Sequence, residues 1–251
     1  MKRRLTAAVL SAAAALGLAA PAHAADFSDV APDAWYAQAV DYCQTQGLMS
    51  GTGEGRFSPG AAMDRAMLAA VLHRAAGSPQ ASAAAGFTDV TPGSWYEQAV
   101  NWAAEAGITS GYGGGRFGPG GPVTREQLAL FLWRLAGSPG PEGSAQSWAD
   151  QGGISPYALQ AVDWAHSAGI LSGVGGGRFD PEGTLTQEEF LTIMGRTARY
   201  LSFALDGYGQ AVEDAGDDLP PDMAADLAPY SDWARSGAAV LAWGLEDAMG
   251  G

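Results

Sequence analysis

Apolar side chains recur at helical spacing in short segments that alternate with glycine-rich stretches. One set with this spacing comprises Val100, Ala103, Ala104 and Ile108. A second set comprises Leu128, Phe131, Leu132 and Leu135. Each set predicts a short helix. The glycine-rich stretch between them, Gly111–Gly121, predicts a loop, because glycine adopts turn conformations that other residues avoid.

Polar residues mark the starts of these two predicted helices. Ser94 with Glu97 has the spacing of a capping box, in which two side chains satisfy free backbone N–H groups. Thr124 with Gln127 has the same spacing before the second helix. Gly107 suits the end of the first helix, and Pro139, after a glycine and a serine, stops the second.

The helix, glycine loop and second helix occur three times along the chain. Residues 27–79 align without a gap to residues 87–139, with about half of the positions identical, and a third copy covers about 148–196. The boundaries are 26–86 for copy 1, 87–146 for copy 2 and 147–210 for copy 3. Two short helices bury little surface alone, so the copies are expected to share one core. The sequence therefore predicts an all-α fold of three tandem helix–loop–helix repeats.

The glycine loop has two interpretations. A nucleotide-binding loop is disfavoured, because neither GxGxxG after a strand nor GxxxxGK[ST] is present, and a phosphate loop is not needed three times. The alternative is a tight turn that folds one aromatic ring of each copy into the core. These rings belong to Phe57, Phe117 and Phe179. We adopt the second interpretation.

The N-terminal segment predicts export. Three cationic residues, Lys2 to Arg4, precede an apolar stretch from Leu5 to Ala20 and a small-x-small cleavage site ending at Ala24. A membrane anchor is the alternative, but the stretch is short of the ~20 residues that a spanning helix needs. We expect residues 1–24 to be a signal peptide. With no later spanning segment, lipid-accepting cysteine or sorting tail in the sequence, a binding interaction is expected to hold the protein at a surface.

Composition excludes several functions. Loss of the three cationic residues with the signal peptide changes the formal net charge from −14 to −17, which argues against nucleic acid binding. Cys43 has no partner for an intramolecular disulfide, and its position favours a buried helix residue over a reactive thiol. His73 and His166 lie in different copies, and no cluster has metal spacing. The sequence predicts no enzyme activity, cofactor or metal.

The residues after copy 3 follow a different pattern. The segment 211–229 is acidic and contains proline, and we interpret it as a linker. Residues 230–251 are similar to the first helix of a further copy and are predicted to be a partial fourth repeat that covers one end of the array.

The recurring motifs resemble the S-layer homology domain. F-x-D-V appears at 27–30 and 87–90, the G-x-x-x-G-x-F-x-P loop at 51–59, 111–119 and 173–181, and a T-R-A-E-like start at 124–127. The resemblance implies a three-pronged pseudo-trimer that binds secondary cell-wall polysaccharide, often pyruvylated and anionic, in the grooves between the prongs. It implies a cell-wall location and S-layer or other surface proteins as possible partners. An extracellular scaffold whose repeats bind proteins remains the alternative function.

The resemblance and the physics of a helix start together give candidate glycan-binding residues. An arginine beside free N–H groups at the positive end of a helix makes an anion site, and an exposed Trp offers an apolar face to a sugar ring. The candidates are Arg125, Arg65, Asp29, Asp89, Trp35, Trp95, Thr124 and Glu126. The structural alternative is that the arginines pair with a neighbouring Asp and that the Trp residues are core.

The third copy departs from this pattern. It has Gln187 where the other copies have arginine, and it lacks the Trp that follows the opening aspartate. One of the three grooves is therefore doubtful as a glycan site.

Overall fold

The computed structural model describes residues 27–140, 145–197 and 200. Copy 1 contains α1 (Ala37–Thr45) and α2 (Arg65–Ala75), and copy 2 contains α3 (Glu97–Glu105) and α4 (Arg125–Leu135). Copy 3 contains a 3₁₀ turn (Gln151–Gly153), α5 (Leu159–Ser167) and α6, which is helical over 187–197. Only isolated bridges, and no strands, occur in these ranges. The all-α prediction is confirmed there.

The second helix of each copy begins at a polar cap. The Asp64 carboxylate accepts a hydrogen bond from the Met67 N–H at 2.7 Å, and the Thr124 hydroxyl accepts one from the Gln127 N–H at 3.4 Å. The Thr124 cap was predicted correctly, but the Gln127 side chain turns to other partners. The capping box at Ser94 was wrong: α3 begins at Glu97 after Tyr96, and Glu97 accepts from the Gly93 N–H instead.

The glycine loops fold one aromatic ring per copy into the core, as predicted. Phe57, Phe117 and Phe179 are each fully buried. Gly111 must be glycine, because a Cβ there would lie 2.3 Å from the Arg116 carbonyl oxygen and 2.7 Å from the Phe87 ring. Its φ of 70° is also one that side chains with a Cβ rarely adopt.

A repeated aspartate holds each loop closed. The Asp89 carboxylate accepts from the backbone N–H groups of Phe117 at 2.8 Å and Gly118 at 2.9 Å, and lies 3.7 Å from the Arg116 guanidinium. Asp29 and Asp150 hold the loops of copies 1 and 3 in the same way. Partial burial opposes ionisation, but these backbone hydrogen bonds lower the pKa of all three carboxyls. We call this arrangement the aspartate clamp.

The three copies are joined by a closed ring of backbone hydrogen bonds. Met63 donates to the Leu185 carbonyl at 2.8 Å, Val123 donates to Met63 at 2.8 Å, and Leu185 donates to Val123 at 3.4 Å. Each of these residues lies just before the second helix of its copy. The ring brings the three helix starts close together, so residues of different copies share the surfaces described below.

Some of the remaining predictions concern described residues, and others lie outside them. Cys43 is a buried helix residue, as predicted, and burial raises the pKa of its thiol to about 12. Within the described ranges, no helix has the length and apolar character needed to cross a bilayer. The predicted signal peptide (1–24), the acidic linker (211–229) and the partial fourth repeat (230–251) lie outside the described residues.

Candidate functional site

Three equivalent surfaces are built at the junctions of the copies. The glycine loop and second helix of one copy form the main wall. The first residue of the second helix of the preceding copy lines this wall, and an aromatic residue of the following copy faces it. Because the copies form a closed ring, copy 3 precedes copy 1. We number each groove by the copy that forms its main wall. Groove 1 receives Gln187 and Trp95, and groove 3 receives Arg125 and Trp35. In groove 2 the arginine is Arg65.

Groove 3 combines two arginines with an exposed indole in a cavity of about 200 Å³. The Arg125 Nε donates to the Phe179 carbonyl at 2.8 Å, and Nη2 donates to the Ser172 carbonyl. These bonds use two of the five N–H donors of a guanidinium. Burial lowers the Arg125 pKa, and Asp180 and Glu189 oppose that effect. The alternative of a direct ion pair with a neighbouring Asp was wrong for Arg125, whose described partners are carbonyl oxygens.

The indole of groove 3 is available to a ligand. Trp35 is 61% exposed, and the equivalent Trp95 of groove 1 is 60% exposed. Each stacks edge-on against the following tyrosine with ring centroids 5.3 Å apart, which fixes its orientation. The alternative that these Trp residues are core is therefore wrong, because a core side chain is not left mainly in solvent.

Groove 1 is larger and lacks the helix-start cation. Its volume is about 560 Å³, and its wall runs from Met49 to Gly53 and along α2. Gln187 lines it and is 1% exposed. Copy 3 therefore lacks the arginine at the start of its second helix, and the groove affected is the one on copy 1, because each helix start lines the groove of the next copy.

Groove 2 is closed by a tyrosine. The Tyr112 ring lies 4.3 Å from the Arg65 guanidinium carbon, and its hydroxyl donates to the Gln127 Oε1 at 3.3 Å. Arg65 is only 3% exposed and donates to the Phe117 carbonyl at 2.9 Å and to Gln127 at 3.2 Å. A Cβ on Gly118 would lie 2.5 Å from the Tyr112 ring, so Gly118 makes room for this ring. Glycan contact by Arg65 stays a prediction that requires Tyr112 to move.

The helix starts are not the free anion sites that the sequence predicted. The Arg125 and Glu126 N–H groups donate to the Gly183 and Pro181 carbonyls at 2.9 and 3.1 Å. In the same way, the first two N–H groups of α2 donate to loop carbonyls of copy 2, and those of α6 donate to loop carbonyls of copy 1. Their N–H groups therefore join copy to copy, and any anion contact falls to side chains.

Three other candidates have structural contacts. Glu126 is 5% exposed and accepts from the Ser155 N–H at 2.9 Å and from the Ser155 and Tyr157 hydroxyls, each at 2.8 Å. Asp29 and Asp89 form the aspartate clamps. The lining given above for grooves 1 and 3 includes none of these three side chains. Their glycan contacts stay predictions.

Two arginines on second helices were missed by the sequence reasoning. Arg196 lines groove 3, and Arg74 lines groove 1 while its Nη1 donates to the Leu48 carbonyl at 2.9 Å. Both occupy the same position in their copies, as does Arg134 in copy 2. That recurrence was the available signal.

The part of the chain that is described offers no group of three or more His, Cys, Asp or Glu side chains able to hold a metal. The two histidines have local contacts instead. The His73 Nε2 lies 2.8 Å from the Pro79 carbonyl oxygen, and the His166 ring packs edge-on against Trp148 at 4.8 Å.

Comparison with known proteins places the three copies in one family. A model of the family described as S-layer homology domain matches residues 26–67, 86–129 and 149–191. The Surface-layer 125 kDa protein of Lysinibacillus sphaericus is 27% identical over 196 residues, 76% of this chain and 16% of that protein. S-layer protein sap of Bacillus anthracis is 26% identical over 211 residues, 78% of this chain and 24% of that protein.

An endoglucanase of Bacillus sp. (strain KSM-635) is 29% identical over 172 residues, which are 67% of this chain and 18% of that protein. The chain thus spans less than a quarter of the length of these relatives. Because the same segment is similar to S-layer proteins and to an endoglucanase, it points to a non-catalytic anchoring module. The comparisons support a cell-surface or secreted location.

Proposed function

The chain belongs to the S-layer homology domain family, and on that premise we propose that it attaches non-covalently to a bacterial cell wall by binding polysaccharide in the grooves between its copies. The closed ring of hydrogen bonds through Met63, Val123 and Leu185 supports a three-pronged pseudo-trimer in which each groove lies between two prongs. A secreted protein held in this way needs no lipid or covalent anchor.

Groove 3 is the proposed site for an anionic sugar. This proposal rests on one observation: Arg125, Arg196 and the exposed Trp35 indole line the same cavity. They do so on a chain whose formal net charge is −14. An indole face packs against the apolar face of a sugar ring, and a guanidinium donates paired hydrogen bonds to a carboxylate.

A pyruvylated polysaccharide fits this combination. A pyruvate ketal places a carboxylate directly on a sugar ring, so one unit offers both an apolar face and an anion. Arg125 is held by the Phe179 and Ser172 carbonyls before a ligand arrives, which reduces the side-chain entropy lost on binding.

Co-sedimentation with purified sacculi tests the proposal. The chain should bind sacculi that retain their polysaccharide and should be released by denaturant. Arg125→Ala should weaken this binding about tenfold or more, since hydrogen bonds to charged groups contribute about 1.5–3 kcal/mol. Arg116→Ala removes the same charge from an exposed side chain that does not line groove 3 and is the matched control.

Two results would contradict the proposal. Equal binding to sacculi stripped of polysaccharide would rule out the polysaccharide as the ligand and would favour a scaffold that binds proteins. Equal weakening by Arg125→Ala and Arg116→Ala would assign the effect to net charge rather than to groove 3.

A further inference from the structure

Groove 1 contains a buried amide without a partner. Gln187 is 1% exposed, lines the groove, and among the described residues neither its Nε2 nor its Oε1 has a hydrogen-bond partner. An unpaired buried polar group destabilises the fold, so native proteins rarely retain one without a reason. A ligand that supplies both an acceptor and a donor would satisfy it.

The charge of groove 1 differs from that of groove 3. Arg74 and Asp64 are the charged residues that line groove 1, and their charges cancel. Both are also engaged, Arg74 with the Leu48 carbonyl and Asp64 with the Met67 N–H. Groove 3 holds two arginines against one glutamate. Groove 1 thus lacks the positive balance that would favour a carboxylate.

The amide itself selects against an anion. A carboxylate only accepts hydrogen bonds, so it can pair with the Gln187 Nε2 but is repelled by Oε1. Two neighbouring hydroxyl groups on a sugar can pair with both atoms, because one hydroxyl accepts from the amide nitrogen while the other donates to the amide oxygen. Trp95, 60% exposed, offers the apolar face beside them.

The size of the groove agrees with a sugar ligand. Its volume of about 560 Å³ lies within the ~300–1,000 Å³ that small-molecule sites occupy. Groove 1 therefore has room for a sugar unit with its ring against Trp95 and its hydroxyls towards Gln187, whose buried amide must turn into the groove to meet them.

We infer that groove 1 is a second glycan site with a different specificity: it binds an uncharged sugar unit through the Gln187 amide and the Trp95 indole. The inference rests on the proposed function, because it assumes that the grooves bind wall polysaccharide. The chain would then contact one polymer at two chemically distinct units, an anionic one in groove 3 and a neutral one in groove 1.

Calorimetry with two forms of one polymer tests this. The probes are purified wall polysaccharide and the same polysaccharide after its carboxyl groups have been reduced to alcohols. The full chain should bind both. Arg125→Ala should weaken binding of the native polymer more than binding of the reduced polymer.

Gln187→Met is the decisive variant. It keeps the length of the side chain and removes the amide, so it should weaken binding of the reduced polymer by about threefold to tenfold. Thermal stability should stay equal or rise, because the lost amide had no protein partner. A structural role for Gln187 predicts the opposite change in stability.

The outcomes separate the two proposals. If the parent binds the native polymer but not the reduced one, or if Gln187→Met binds the reduced polymer like the parent, the neutral site is wrong and the anchoring proposal stands. If neither polymer binds, both proposals fail. Weaker binding of the reduced polymer by Gln187→Met, at equal or higher thermal stability, supports the neutral site.

Discussion

Grooves 2 and 3 are built from the same positions, yet one is closed and the other is open. In both, an arginine at a helix start donates through Nε to the carbonyl of the buried loop phenylalanine, at 2.9 Å for Arg65 and 2.8 Å for Arg125. The difference lies in one loop residue. Tyr112 covers Arg65 in groove 2, whereas Val174 occupies that position in groove 3 and leaves Arg125 at the cavity.

The comparison separates what holds the arginine from what exposes it. The carbonyl, the phenylalanine beneath the guanidinium and the clamped loop recur in both grooves, so they position the side chain. Exposure depends on Tyr112 and on Gly118, which leaves space for its ring. Groove 3 has Asp180 in place of Gly118, so a residue with a side chain stands at that position. An arginine in the family motif is therefore not sufficient to identify a binding groove.

The largest expected effect tests the shared scaffold. Phe117→Ala and Phe179→Ala should each lower the free energy of unfolding by about 3–5 kcal/mol, because each removes a fully buried ring. Urea unfolding measures both, and Phe→Leu variants, which keep most of the volume, should lose much less. If only one Ala variant were destabilised, grooves 2 and 3 would not share a common support.

The second prediction separates the two arginines. Arg125→Ala should weaken binding of anionic polysaccharide about tenfold or more, whereas Arg65→Ala should leave it within about twofold. Arg65→Ala should instead lower stability by about 1–3 kcal/mol, since it leaves the Phe117 carbonyl without its guanidinium donor and removes one of the two donors to Gln127 Oε1. Calorimetry and thermal melts measure the two effects. A tenfold binding loss in Arg65→Ala, without loss of stability, would show that groove 2 opens to ligand.

The sequence predicted the repeated parts of this arrangement well. The helix pairs, the buried loop phenylalanines and the Thr124 cap follow from local spacing that occurs in each copy, and such local patterns are sufficient to place helices. The sequence also indicated that copy 3 lacks one cation, because Gln187 is visible without a structure.

The parts that were missed depend on how the copies meet. The closed ring determines which groove Gln187 lines, because each helix start in the ring lies against the loop of the next copy. The burial of Arg65 and Glu126 has the same origin. These are contacts between residues that lie from about 30 to more than 120 positions apart, and no local spacing encodes them. The pairing of Tyr112 with Gly118 is visible in the sequence only once that contact is known.

The third prediction concerns the aspartate clamp that all grooves share. Its carboxyls have folded-state pKa values below the ordinary 3.8, so they stabilise the fold above that pH, and the contribution is lost as pH falls through the folded values. Asp89→Asn should lower stability at pH 7 by about 1–2 kcal/mol, because an amide has one acceptor oxygen for the two N–H groups of Phe117 and Gly118.

Melting temperatures between pH 7 and pH 3 measure this effect. The parent should lose more stability on acidification than Asp89→Asn, which has already lost one clamp. Asp33→Asn changes an exposed aspartate and serves as the control. An equal acid response in the parent and in Asp89→Asn would show that the clamp carboxylate does not contribute to pH-dependent stability.

The smallest expected effect tests the comparison most directly, by opening groove 2. Tyr112→Thr introduces the residue that groove 1 has at this position, and it removes the ring that covers Arg65. The loss of the stacking contact should lower stability by about 0.5–1 kcal/mol. With Arg65 exposed, short anionic fragments of the wall polysaccharide should bind with a higher calorimetric stoichiometry than in the parent. Tyr112→Phe keeps the ring and loses only the 3.3 Å bond to Gln127, so its stoichiometry should not change.

The double variant Tyr112→Thr with Arg65→Ala identifies the source of any gain. It should return the stoichiometry to that of the parent, because groove 2 then has space but lacks the helix-start cation. If Tyr112→Thr alone left the stoichiometry unchanged while the chain stayed folded, Tyr112 would not be what closes groove 2. The difference between grooves 2 and 3 would then lie in the second helix, where Gln127 and Leu130 stand in place of Glu189 and Thr192.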